Sequence, residues 1–107
     1  MKPHVLIAAA LIALPLAAVA DATTEAVKQG FMKANDAMMP MMHMKPSGNA
    51  DKDFVAMMIP HHQGAIEMAK VELLYGRDEK LKALAKDIIA AQEKEIAEMK
   101  AWQNAHP

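Results

Sequence analysis

The stretch MIPHHQGAIEMA, Met58 to Ala69, has a helical composition, yet it carries a proline at position 60 and two adjacent histidines. Pro60 removes one backbone hydrogen bond and crowds the carbonyl of Ala56. The apolar stripe keeps its phase across the proline, so a kinked but continuous helix is expected rather than two short ones. That helix should start near Asn49 to Asp51 and end near Tyr75, with Gly76 at its C′ position. A third helix is expected from an Asp78 N-cap to about Asn104. Only about three residues join the two, which predicts an antiparallel hairpin.

A helix advances about 100° per residue. With Phe54 at zero, Met58, Ala65 and Ala69 fall at roughly 40°, 20° and 60°, and Met57 and Met68 at roughly 300° and 320°. His61 and His62 fall near 340° and 80°, inside the arc expected to face the core. On the third helix, Gln92 and Glu95 interrupt the arc formed by Leu81, Leu84, Ala85, Ile88, Ile96, Met99 and Trp102. Folding the hairpin about Gly76 and Arg77 brings His61 level with Gln92, Met58 with Glu95, and Phe54 with Met99. Burying a neutral polar group without a partner costs about 2 to 7 kcal/mol. Two polar intrusions at one height therefore point to a shared site. They equally suit a hydrogen-bonded seam that fixes helix register.

Upstream, Thr23 or Thr24 can cap a first helix running to about Met38, with Val27, Phe31, Ala34 and Met38 on one stripe. The segment MMPMMHMKPSGNA, Met38 to Ala50, reads as a loop because of its two prolines and its Ser47-Gly48-Asn49 run. It concentrates Met38, Met39, Met41, Met42, His43 and Met44, a possible second metal site. The chain opens with Lys2, an apolar run and Ala18-Val19-Ala20, the pattern of a secretory signal peptide over 1–20. The apolar run is too short to span a membrane. A mature protein in the periplasm or secreted medium, with no membrane span, is expected. The organisation expected is 1–20 signal peptide, 21–50 N-terminal helix and Met/His-rich loop, and 51–107 helical hairpin.

The 107 residues include 11 methionines and no cysteine, and the formal net charge is −1. No basic patch indicates nucleic acid as a partner. Without cysteine, any metal site must use other ligands. Thioethers are soft donors that suit Cu(I), and imidazole suits copper in both oxidation states, so Cu(I) is favoured and Cu(II) admitted. A di-iron bundle would need Glu-x-x-His motifs, whereas Met58 and Ile59 precede His61 and His62 by three. His61, His62, Met57, Met58, Met68 and Met99 are the candidate copper ligands, with Gln92 and Glu95 orienting the imidazoles.

These residues carry a resemblance. DFVAMMIPHHQGAIEMA followed by LAKDIIAAQEKEIAEMKAW is similar to the domain-of-unknown-function 305 family. The pattern comprises Phe54, Met58-Ile59, His61-His62, Ala65-Ile66, Met68-Ala69, Gln92, Glu95-Ile96, Met99 and Trp102. The resemblance implies an exported, ferritin-like four-helix bundle with a role in copper resistance and no defined reaction. A chain with only three helices could close that bundle by pairing with a second copy. The functional expectation is a non-enzymatic copper-binding protein that sequesters copper or hands it to a copper-handling partner protein. The rival is a structural or interaction module whose Met-rich loop grips a partner.

Overall fold

The computed structural model describes residues 10–13 and 15–107. Three helices are present and no strand occurs among the described residues: α1 (Leu16–Met42), α2 (Ala50–Tyr75) and α3 (Glu79–Ala105). The all-α expectation holds. Half of the expected signal peptide, residues 1–9 and 14, falls outside the described residues; residues 16–20 begin α1.

α1 differs from expectation at both ends. Thr23 and Thr24 do not cap it. Their hydroxyls donate to the carbonyls of Val19 and Ala20, each at 3.0 Å, from inside the helix. At the other end, the helix continues through Pro40 to Met42. Met38, Met39, Met41 and Met42 are therefore helical, and only the residues from His43 to Asn49 connect α1 to α2. Pro40 lies in the last turn, where its missing N–H removes one hydrogen bond from an end that is already short of partners, while methionine favours helix. His43 N–H donates to the Met39 carbonyl and closes that end.

The connection is tightened from the first turn of α2. The Asp53 carboxylate accepts from the backbone N–H groups of Ser47 and Gly48 and from the Ser47 hydroxyl at 2.7 Å. Asn49 caps the helix by accepting from Lys52 N–H. Gly48 has φ of 92°, a left-handed conformation that suits glycine. The Ser47 N–H, then its hydroxyl, hold the Asp53 carboxyl below its ordinary range, outweighing a small opposing effect of burial. A carboxyl whose pKa is lowered in the folded state stabilises the fold above its unfolded pKa, about 3.9. That contribution is lost as pH falls through the lower folded value. Protection factors at Ser47 and Gly48, corrected for the intrinsic pH dependence of amide exchange, should therefore fall on acidification below about pH 4, and in Asp53→Asn they should be low already at neutral pH. Equal protection of both amides in Asp53→Asn would contradict this role.

α2 runs unbroken through the buried Pro60. Gly76 ends it in an extended conformation, φ −66° and ψ 154°, rather than in a left-handed cap. Its value is space: a Cβ there would lie 2.2 Å from Glu72 Oε1 and 2.5 Å from the Glu72 carbonyl oxygen. Asp78 caps α3 as expected, accepting from Leu81 N–H at 2.9 Å.

The layering departs from a closed bundle. α2 packs against both α1 and α3, while α1 and α3 do not pack on each other. The burial pattern of α2 reflects this middle position. Val55, His62, Ile66 and Ala69 are buried on one side, at roughly 60° to 120° from Phe54, and Pro60, Gly64 and Val71 on the other, at roughly 240° to 280°. α1 seats on the second side. A Cβ on Gly64 would lie 2.2 Å from Met38 Cγ, and one on Gly30 would lie 2.6 Å from Val71 Cγ2. Lys33 and Glu67 add an ion pair at 3.7 Å across the same contact. The expected single core arc centred on Phe54 is thus two arcs with an uncovered apolar strip between them. Phe54 itself is 58% exposed.

Candidate metal centre

The adjacent histidines diverge. Their ring centroids are 6.2 Å apart with planes inclined at 62°. His62 is 5% exposed; His61 is exposed on the uncovered strip. The difference follows from the 100° step between neighbours: His62 turns onto the side of α2 that α3 covers, and His61 turns onto the side that neither neighbour reaches.

Across the α2–α3 seam, His62 Nε2 meets Glu95 Oε2 in a short hydrogen bond. The levels therefore sit about one turn away from those expected by folding about Gly76 and Arg77. His62 pairs with Glu95, instead of Met58 with Glu95 or His61 with Gln92. One turn further along, Met58 of α2 and Met99 of α3 line the same cavity as His62 and Glu95, together with Phe54 and Glu98; its volume is about 290 Å³. Met58 and His62 are four residues apart on α2, and Glu95 and Met99 four apart on α3, so each pair shares a helix face.

The electrostatics of His62 are specific. A carboxylate only accepts hydrogen bonds, so Nε2 of a neutral ring carries the proton and Nδ1 keeps its lone pair. Nδ1 is buried and has no hydrogen-bond partner, and Gln92 Oε1 is in the same condition. Each unsatisfied buried group costs about 1 to 3 kcal/mol. An imidazole whose N–H is held by a carboxylate and whose other nitrogen is free is arranged as metal-ligating histidines are. Two thioethers and one such imidazole fit a soft cation. Among the described residues, no three histidine, aspartate or glutamate side chains converge on a point that could hold an ion.

The remaining candidates are distributed. Met68 is 44% exposed on the uncovered strip. Met57 is half-buried. The last turn of α1 divides its side chains. Met38, Met41 and Met44 are half-buried, while Met39, Met42 and His43 are exposed. The last three occupy positions i, i+3 and i+4, so two thioethers and an imidazole share one solvent-facing patch. Glu98 also lines the cavity, although the sequence marks it as no candidate. Only the true register of the seam reveals it, and nothing in its sequence neighbourhood does.

Fold and seam together define, among the described residues, a three-helix all-α arrangement whose buried histidine, held by a glutamate, lines a cavity with two methionines. The chain belongs to the family described as Domain of unknown function (DUF305), which matches residues 13–103. It is also 47% identical over 49 residues to "Uncharacterized protein L153" of Acanthamoeba polyphaga mimivirus. That stretch is 46% of this chain and 32% of the viral protein, so the match reaches about a third of that relative's length.

Proposed function

We propose that this protein binds copper, chiefly as Cu(I), through His62 Nδ1 and the thioethers of Met58 and Met99, with Glu95 orienting the imidazole. The observation that supports this most is the buried, unpartnered Nδ1 of His62, a residue that lines one cavity together with two methionines. A purely structural seam would satisfy its buried polar atoms, because leaving them open costs stability without return. Copper is cargo here. The chain holds the ion and releases it to a copper-handling partner, without catalysing a reaction. Glu98, at the cavity rim, supplies negative charge that draws a cation in. In this reading the signal pattern at 1–20 directs the protein out of the cytoplasm, where lowering free copper contributes to resistance. The ferritin-like four-helix form that the resemblance implies is reached by association of copies, each contributing a hairpin.

The exposed patch of Met39, Met42 and His43 serves as a second, weaker site. Its three side chains are solvent-exposed at the end of α1, so binding must order freely rotating side chains, at up to about 2 kcal/mol each. A titration with Cu(I) against a competing chelator should show a tight class and a weak class of sites. Replacing Met39 and Met42 by leucine and His43 by alanine should remove the weak class and leave the tight one. A chain that binds no Cu(I) in competition with the chelator would sink the copper reading, and an unchanged weak class in the triple variant would sink the assignment to α1.

A further inference from the structure

The uncovered strip of α2 continues into a groove. Ala65 and Ala69 form its floor, Phe31 of α1 stands on one side, and Leu81 and Leu84 of α3 stand on the other. Both leucines are more than half exposed, and no large side chain is fully buried among the described residues. Glu72 closes one end of the groove, half-buried in apolar surroundings, and makes no hydrogen bond or ion pair with the described residues. His61, on the same strip, makes no hydrogen bond to them either. A half-buried carboxylate without a partner is unfavourable unless something brings it a donor.

We propose that a second copy of this chain covers the groove in an antiparallel, two-fold arrangement, in which His61 of each copy meets Glu72 of the other. The spacing on α2 carries the assignment. His61 and Glu72 are eleven residues apart, about 16 Å along the axis, and lie within roughly 20° of the same line. Two α2 helices laid antiparallel about an axis between Ala65 and Met68 bring both pairs into register at once, which is the self-complementarity an isologous contact requires. At the centre the small Ala65 of each copy leaves room for the exposed Met68 of the other, and the leucine walls of each α3 flank the contact. Two α2–α3 hairpins then form four helices around one apolar interior. The pairing does not use the metal site. Copper binding by a monomer and a dimer that binds no copper are separately observable failures.

Sedimentation equilibrium of the full-length protein over a dilution series should give a dimer. Leu84→Glu, which places a charge on an exposed wall, should sediment as a monomer with its helical circular dichroism retained. His61→Glu should weaken association at least tenfold by opposing Glu72 of the other copy. The exchange His61→Glu with Glu72→His rebuilds the same pair in reverse and should restore association. Because that exchange keeps the charge composition and leaves the leucine walls intact, it reads the contact even if Leu84→Glu folds poorly. A monomeric wild type, with the groove left for a different protein or a lipid surface, would overturn the proposal. So would a His61→Glu chain whose dimer is as tight as wild type, or an exchanged pair that fails to restore it.

Discussion

His62→Ala should abolish tight Cu(I) binding, whereas His61→Ala should leave it intact. Losing even an outer partner of a metal-bound histidine typically costs ten- to hundred-fold in affinity. Removing the imidazole itself should cost more than that. Glu95→Gln should fall in the ten- to hundred-fold range, since the amide can still accept from Nε2–H but no longer raises the basicity of the ring. The ordering His62→Ala, then Glu95→Gln, then His61→Ala near wild type is the signature of the proposed geometry, read by chelator competition. If His61→Ala and His62→Ala weakened binding equally, the ion would sit elsewhere.

The second large effect concerns the seat of α1. Gly64→Leu should lower the melting temperature by about 10 to 20 °C. A Cβ at position 64 already falls 2.2 Å from Met38 Cγ and 3.2 Å from the Ala34 carbonyl oxygen, so a larger side chain must displace α1. Overpacking costs typically about 1 to 3 kcal/mol, and removing a helical glycine returns at most about 1 kcal/mol. Leucine lies beyond the usual range because it meets backbone as well as side chain. A net loss of about 2 to 3 kcal/mol at about 4 to 8 °C per kcal/mol gives the stated shift for a domain of this size. Differential scanning calorimetry reads it directly. A melting temperature equal to wild type would mean that α1 does not pack on α2 through Gly64.

Much of the hairpin is legible in the sequence because its signals are local. Asp78 precedes a helical run and caps it, Asn49 does the same for α2, and the unbroken phase of the apolar residues carries α2 through Pro60. The features that escape are those set by packing. The level of α3 on α2 follows from how side chains interdigitate, and the middle of the turn at Gly76 and Arg77 does not fix it. That difference of about one turn moves the partner of Glu95 from Met58 to His62 and brings Glu98 to the cavity. The fates of His61 and His62 depend on which sides of α2 its neighbours cover. A projection of α2 alone places both histidines near the apolar arc and cannot separate them. Pro40 misleads for a different reason: a single proline removes only one rung of the helix ladder, and the methionines on either side of it favour helix, so the Met-rich stretch that reads as a loop is mostly the last turns of α1.

The central claim is that a soft metal ion is bound by the folded protein through sulfur and imidazole. Ag(I), which shares the softness of Cu(I) without its redox chemistry, tests it in a single melting experiment. A ligand that binds only the folded state adds about 2.7 kcal/mol at 100 times its dissociation constant. Saturating Ag(I) should therefore raise the melting temperature of the wild type by about 10 °C or more, and Mg(II) should not move it. The rise should be absent in Met58→Leu/His62→Ala/Met99→Leu. A wild-type melting curve that Ag(I) leaves unchanged, or a rise that persists undiminished in the triple variant, would contradict the account.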